Sequence, residues 1–184
     1  MTCAIGVAVL VLGCCVPRSA ADREPDPTSR GGVKRHALIL RLSPFGQAAL
    51  RRAIDLALAK LAAPECSRVY EDFTLQNGVT PRRILDGLGM TASELLESLV
   101  FIDGGWDGVC RRGRAALTTT PGSRVIHVCP GFPQLQLRDP ERSAYLIIHE
   151  SLHALGLGED PPSSSEITQR VARRCWKGAS LVTK

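Results

Sequence analysis

Two histidines and a glutamate in the last fifth of the chain have the types and spacing of a hydrolytic metal site. His149 and His153 are four residues apart, so on a helix both imidazoles project from one face and can reach the same metal ion. Glu150 follows His149 directly and is turned by about 100° around such a helix, beside the metal rather than on it. There it can take a proton from a water molecule at the metal, which generates a nucleophile for hydrolysis. We therefore predict that His149 and His153 are metal ligands and that Glu150 is the general base.

The segment around these residues has the pattern of a buried helix. Asp139-Pro140-Glu141 predicts its start, because proline and acidic residues are typical of the first helical turn. The apolar side chains that follow lie almost all round the helix, as in a buried element: Tyr145, Leu146, Ile147, Ile148, Leu152, Leu155 and Leu157. A buried helix needs a reason to carry two histidines and a carboxylate. The alternative to a metal site is a pair of hydrogen-bonded core histidines with Glu150 at a surface.

The segment from His149 to Glu159 resembles the zinc metallopeptidases called zincins, and it is most similar to the metzincin pattern HExxHxxGxxH. The run from Ala154 to Gly158 is similar to that of matrixins. The resemblance implies that His149 and His153 bind Zn²⁺, that Glu150 activates the zinc-bound water, and that Gly156 lets the chain turn back under the metal. Two features differ from metzincins: Glu159 stands where they have a third histidine, and no methionine follows Met90 to form a methionine turn.

Three acidic residues are candidates for the third metal ligand. Glu159 has the metzincin spacing, and a carboxylate is an acceptable zinc ligand. Asp160 is adjacent and chemically equivalent, while Glu166 would suit a gluzincin-like arrangement, in which a glutamate arrives from the next helix. Glu166 also reads as part of a capping box that begins the last helix at Ser163. We favour Glu159 and retain Glu166, Asp160 or water as alternatives.

The N-terminal residues have the pattern of a secretory signal peptide. Residues 1–21 contain an apolar run that is too short to span a membrane, followed by the small residues Ser19 and Ala21 before a plausible cleavage point. We predict a signal peptide over 1–21, a flexible spacer over 22–34 and a metallohydrolase domain over 35–184. The expected location is secreted or periplasmic, with no stable membrane span after processing. A lipoprotein anchored at Cys14 and an uncleaved anchor are the alternatives.

The cysteines outside that leader predict two disulfides. Cys66, Cys110, Cys129 and Cys175 are an even number in an exported chain and include no CxxC pair. Sequence alone leaves three pairings open. We favour Cys110 with Cys129, on the two arms of a hairpin, which leaves Cys66 with Cys175. Free buried thiols are the alternative.

The composition predicts one folded domain and no nucleic-acid function. About 160 residues would remain after residue 21, which suits one core, and 44% of the chain is hydrophobic. The formal net charge of +5 is modest and aromatic residues make up only 4%, so stacking platforms for single-stranded nucleic acid are missing. We expect a monomer that acts on a peptide or protein substrate.

Local patterns predict an α+β fold: a small zincin-like domain with N-terminal helices, a short mixed sheet with a hairpin, the buried histidine helix and one C-terminal helix. Predicted strands span His36 to Leu42 and Val100 to Ile102, and predicted helices begin at Ser43-Pro44, Thr80-Pro81 and Thr91. The hairpin joins 115–119 to 125–129 through Pro121-Gly122. In the last helix, Ile167, Val171 and Cys175 form the buried face.

The hairpin precedes the histidine helix, and in zincins an edge strand in that position aligns the peptide substrate by backbone hydrogen bonds. By resemblance, the strand from Arg124 to Cys129 or its partner holds substrate; the alternative is an ordinary core hairpin. We interpret His127 as exposed or hydrogen-bonded rather than a ligand. Tyr145, one turn before His149, could hydrogen-bond a reaction intermediate, but packing is the interpretation we favour.

The leading functional hypothesis is an exported zinc metallohydrolase, and endopeptidase is the activity that we favour. A peptidoglycan-directed hydrolase keeps the same site with another substrate. A non-catalytic, metal-stabilised binding or envelope protein is the alternative from a different class, and the presence of Glu150 argues against it, because a purely structural metal site does not need that acid.

Overall fold

One long helix and one sheet edge carry the residues singled out by the sequence. The fold is known from a computed structural model that describes residues 37–113 and 115–176. All of these residues belong to one compact unit. The predicted signal peptide and spacer, with Cys14 and His36, lie outside the described residues.

Residues 37–113 and 115–176 contain eight α-helices and one short 3₁₀ helix, which lie between and after the strands. The helices are α1 (Pro44–Leu61), α2 (Pro64–Ser67), α3 (Pro81–Gly87), α4 (Ala92–Glu97), α5 (Gly108–Arg111), α6 (Phe132–Arg138), α7 (Pro140–Ala154) and α8 (Ser164–Cys175), with the 3₁₀ helix at Arg68–Glu71. The predicted helix starts are confirmed, since Ser43, Thr80 and Thr91 each accept a hydrogen bond from a backbone N–H in the first turn. Asp139 caps α7 in the same way, through the N–H of Arg142.

The sheet is mixed and has four short strands in the order β1-β2-β4-β3. The strands are β1 (Leu38–Leu40), β2 (Val100–Asp103), β3 (Leu117–Thr118) and β4 (Val125–Val128). β1 pairs with β2 and β2 with β4 in parallel, and β3 pairs antiparallel with β4. The predicted hairpin is therefore confirmed, although its strands are shorter than the sequence suggested. Among the described residues, β3 is an edge strand of the sheet.

The core lies between one face of the sheet and the helices α1, α6 and α7. Phe101 and Ile126 face it from the two central strands and are fully buried. The apolar stripe of α1, formed by Leu50, Ile54, Ala57 and Leu61, is buried. In α7 every residue from Ile147 to Ala154 is buried, so the histidine helix is the interior element that its sequence indicates.

The α+β prediction is confirmed at this level, and three short helices were missed. These are α2, α5 and α6, of four, four and seven residues. Segments this short hold too few turns to produce an apolar periodicity, so packing rather than intrinsic propensity decides their conformation.

Both predicted disulfides are present. Cys66 of α2 is joined to Cys175 at the end of α8, and Cys110 is joined to Cys129. The reason given for the second pair was wrong in one respect: Cys110 lies on α5, not on an arm of the hairpin. Disulfides of this kind are typical of oxidising, extracytoplasmic compartments. Within the described ranges, no helix combines the length and the apolar character that crossing a membrane requires.

Candidate metal centre

Three side chains with metal-binding atoms converge at the C-terminal end of α7. Nε2 of His149 lies 2.8 Å from Nε2 of His153. Oε1 of Glu159 lies 3.4 Å from the first of these nitrogens and 3.2 Å from the second. Both imidazoles are almost fully buried, whereas half of the Glu159 side chain is exposed. The cluster is therefore approached from solvent on the side of Glu159.

The distances within this cluster fit a tetrahedral metal ion. Zinc bonds of about 2.1 Å at tetrahedral angles place neighbouring ligand atoms about 3.4 Å apart. The two contacts of Glu159 are within about 0.2 Å of this spacing, and the two histidine nitrogens need to separate by only about 0.6 Å. Two imidazoles and one carboxylate are also a usual protein donor set for zinc, with the fourth position open. The residues present therefore fit a divalent metal ion.

The other nitrogen of each imidazole is held by the protein. Nδ1 of His153 lies 2.6 Å from the carbonyl oxygen of Leu157, and because a carbonyl only accepts, this nitrogen carries the proton. Nδ1 of His149 lies 2.9 Å from the hydroxyl of Thr168. Such contacts leave Nε2 as the metal-binding atom and fix the plane of the ring. Burial also lowers the pKa of His149, despite its contact with Glu159, and so favours the neutral, metal-binding form.

A tight turn after α7 returns Glu159 to the histidines. Gly156 has a φ of +98°, a conformation that side chains other than glycine rarely adopt. A Cβ at this position would also lie 3.1 Å from Cδ2 of Leu75. The N–H groups of Gly156 and Gly122 both donate to the carbonyl of His153, each at 2.8 Å. The turn and the hairpin loop are thus both hydrogen-bonded to His153, and the chain turns at Gly156 as the zincin resemblance implied.

Glu150 lies beside the cluster as a buried carboxyl group with one oxygen unpartnered in the described part of the chain. It is 5% exposed, and its Oε2 has no hydrogen-bond partner among the residues that the structure describes. Burial, and then the nearby charge of Glu159, raise the pKa of Glu150 to about 8, while the backbone N–H of Thr119 partly opposes this shift. A divalent cation next to this carboxyl group would favour its ionised form.

The carboxyl group of Glu159 is held in its charged form. The hydrogen bond with His149 is the main cause, and it outweighs partial burial; further hydrogen bonding with Ser164 contributes, so that the pKa of Glu159 falls to about 2. A carboxylate that stays ionised at all physiological pH values is suited to metal binding.

The two other candidate ligands lie elsewhere. Glu166 forms the predicted capping box, in which its carboxylate accepts the N–H of Ser163 at 2.7 Å and Ser163 accepts the N–H of Glu166 in return. Asp160 is exposed and does not belong to the cluster. Of the three acidic residues considered, Glu159 is the one that the fold brings to the histidines.

A cleft of about 410 Å³ opens beside the cluster. It is lined by residues of α5, the hairpin, α7, the turn that carries Glu159 and the start of α8: Val109, Ala115, Leu117, Thr118, Thr119, Pro121, Glu150, His153, Glu159 and Ser164. The edge strand β3 therefore forms one wall and Glu150 lies in the floor.

The backbone groups of one residue of β3 point away from its partner strand. The N–H of Cys129 donates to the carbonyl of Ala116 at 3.0 Å, so Ala116 and Thr118 are the residues whose backbones face β4. Because backbone groups alternate in direction along an antiparallel strand, the N–H and C=O of Leu117 point away from β4 toward the open edge.

His127 and Tyr145, which the sequence did not indicate as metal ligands, both have structural contacts. Nδ1 of His127 lies 3.0 Å from the carboxylate of Asp107, and Trp106 packs over the imidazole. Tyr145 packs edge-on against Trp176, with 5.6 Å between ring centroids. Both interpretations, a hydrogen-bonded His127 and a packed Tyr145, agree with the structure.

Sequence reasoning missed Thr168, the carbonyl of Leu157 and the N–H of Thr119. The backbone groups have no sequence signal. Thr168 had a weak one: it follows Ile167, which is on the buried stripe of α8, so its side chain is at the border of the face that packs against α7.

Comparisons with known protein families, with curated proteins and with solved structures give no match to this chain.

Proposed function

We propose that this protein is an exported zinc-dependent metallohydrolase, and in the first place an endopeptidase. The ligands would be His149, His153 and Glu159, and Glu150 would be the general base. The observation that carries the proposal is the state of Glu150: a buried carboxyl group whose Oε2 lacks a hydrogen-bond partner in the described part of the chain, in the floor of a cleft and directly beside three convergent metal-binding atoms.

The chemistry divides between the metal and Glu150. Zinc, when bound, would polarise the carbonyl group under attack and make water more acidic. Glu150 would take the proton from the attacking water and transfer it to the leaving amine. The N–H of Thr119 holds the carboxyl group and keeps it oriented while the proton moves. A site that only stabilised the fold would not need an unpartnered buried acid at this point.

The edge strand favours an extended peptide as the substrate. The outward N–H and C=O of Leu117 can pair with the backbone of a peptide lying in the cleft, as in strand addition. Such pairing would hold a scissile bond over Glu150 without reading side chains, so the substrate class is set by backbone geometry and by the width of the cleft. By the zincin resemblance, the strand from Arg124 to Cys129 or its partner has this role.

Export is part of the proposal. The disulfides Cys66–Cys175 and Cys110–Cys129 favour an oxidising compartment, and the pattern of residues 1–21 is that of a signal peptide. Secretion, periplasmic retention and lipid attachment at Cys14 would each deliver the domain to such a compartment.

The decisive experiment replaces Glu150 by glutamine. Glu150→Gln keeps size and hydrogen bonding but cannot accept a proton, so zinc content and fold should persist while cleavage of a peptide library falls by about 10²–10⁴-fold. Glu141→Gln is the matched control, because Glu141 is an exposed glutamate on the same helix. Its activity should equal that of the wild type.

A fully active Glu150→Gln variant would exclude this mechanism. If the wild type holds zinc and cleaves neither peptides nor peptidoglycan cross-links, the non-catalytic binding protein becomes the better proposal.

A further inference from the structure

The last helix presents two hydroxyl groups to the metal centre from consecutive turns. Ser164 and Thr168 are four residues apart on α8 and share a face. Ser164 lines the cleft, and Thr168 is half-buried against α7. Neither residue belongs to the histidine motif, and both belong to an element that the chain reaches only after all three candidate ligands.

Thr168 contacts the first ligand directly. Its Oγ1 lies 2.9 Å from Nδ1 of His149, which is a normal hydrogen-bond distance. When Nε2 of His149 binds a metal, Nδ1 carries the proton and the threonine oxygen accepts it. A hydroxyl in this place therefore selects the imidazole tautomer that can bind metal, and it fixes the ring plane that aims Nε2 at the ion.

Ser164 acts on the third ligand. Ser164 and Glu159 line the same cleft, where the Ser164 side chain hydrogen-bonds with the Glu159 carboxylate. Glu159 is on an exposed turn and lacks the packing that orients the two histidines. A contact with the first turn of α8 restrains the carboxylate where packing does not.

The helix is anchored well enough to position ligands. Ile167 and Val171 are fully buried in the core. Cys175 is bonded to Cys66 of α2, and Arg174 makes a two-point ion pair with Asp72. Because both ends of the buried stripe are fixed, the hydroxyl of Thr168 is presented from a rigid support.

We propose that Thr168 is a positioning residue of the metal centre, which holds His149 in its metal-binding tautomer and orientation, and that Ser164 supports Glu159 in the same way. The inference rests on the metal site of the proposed function and is independent of whether that site hydrolyses peptides. It predicts that α8 contributes to metal affinity without providing a ligand.

The test measures zinc affinity by competition with a chelator, and the visible spectrum of the cobalt-substituted protein. Thr168→Val keeps the shape of the side chain and removes the hydroxyl. It should raise the Kd for zinc by about 10–100-fold, the usual effect of losing a contact behind a ligand, and it should change the cobalt spectrum. Thr168→Ser keeps the hydroxyl and should restore both to the wild-type values. Ser164→Ala should give a smaller rise in Kd than Thr168→Val.

Ser165→Ala is the matched control, since Ser165 is an exposed hydroxyl of the same helical turn and its loss should leave the Kd unchanged. Thermal unfolding of the metal-free proteins separates positioning from folding: Thr168→Val should unfold near the wild-type temperature. Equal zinc affinity in wild type and Thr168→Val overturns the proposal. A wild type that binds no zinc overturns it together with the metal site, whereas a wild type that binds zinc and cleaves nothing overturns only the proposed hydrolysis.

Discussion

The described part of the chain contains two groups in which an imidazole contacts a carboxylate, and the two groups differ in which imidazole nitrogen makes the contact. At the end of α7, Glu159 contacts the Nε2 atoms of His149 and His153, and both Nδ1 atoms are held from behind. On β4, His127 meets Asp107 through Nδ1. The first arrangement points three ligand atoms at one place, and the second joins a single pair.

The carboxylates differ as well. Asp107 also caps α5, where its Oδ1 accepts the N–H groups of Val109 and Cys110, so its hydrogen-bonding capacity is used within the fold. Glu150, beside the first group, keeps an oxygen for which the described residues provide no partner. A histidine–carboxylate contact is therefore not by itself a sign of a metal site. Convergent Nε2 atoms beside an unsatisfied buried acid are such a sign.

The largest expected difference is in metal content. His153→Ala should reduce bound zinc from about one equivalent to almost none, because it removes one of the two buried nitrogen ligands, and it should lower stability since metal binding is coupled to folding. His127→Ala should keep about one equivalent. Elemental analysis of the purified proteins measures both. An equal zinc content in wild type and His153→Ala would show that the two groups do not differ in metal binding.

A smaller difference is expected between the two acidic candidates. Glu159→Ala should weaken zinc binding by about 100-fold or more, since even contacts behind a ligand are worth about 10–100-fold. Glu166→Ala should leave the affinity unchanged and slightly lower the melting temperature, because its carboxylate caps α8. Chelator competition and thermal unfolding report the two effects. If Glu166→Ala weakened binding more, the centre would have the gluzincin-like geometry instead.

The smallest effect concerns the pH dependence of stability at the second group. Burial opposes ionisation of Asp107, but hydrogen bonds from His127 and from the N–H groups of Val109 and Cys110 outweigh it and hold its pKa below the usual 3.8. A carboxyl group with a lowered pKa stabilises the fold above its unfolded pKa, and this contribution is lost as the pH falls through the folded value.

Asp107→Asn should therefore have a lower free energy of unfolding than the wild type above about pH 4, and the two should converge in stronger acid. Urea unfolding across this pH range measures the difference. Asp55→Asn, an exposed position on α1, should follow the wild type throughout. A difference between wild type and Asp107→Asn that stayed constant down to the acid limit would show that the amide changes packing rather than charge.

The sequence predicted the parts of this molecule that local patterns determine. The four-residue spacing of His149 and His153, the caps at Ser43 and Thr91, and the turn at Pro121-Gly122 each follow from interactions within a few residues, and each is confirmed. The position of Glu159, rather than Glu166, beside the histidines depends on a turn at Gly156. The motif spacing favoured Glu159 but did not decide between the two.

What the sequence could not predict involves contacts between distant segments. The pairing of β1 with β2 and of β2 with β4 joins residues separated by more than twenty positions. The contact of Thr168 with His149 depends on how α8 crosses α7, and the pair of His127 with Asp107 depends on the path of the chain after β2. Helix packing and sheet order select these partners, and neither is encoded in a short window.

The disulfide between Cys66 and Cys175 determines what a proteolytic cut does to the chain. The bond closes a covalent ring, which is large because the two cysteines are 109 residues apart. His149, His153 and Glu159 all lie within that ring. A single peptide-bond cut between these cysteines leaves two fragments that remain linked through sulfur. A nicked molecule would therefore migrate as one species until reductant is added, and it would keep His149, His153 and Glu159 in one covalently linked molecule in the meantime.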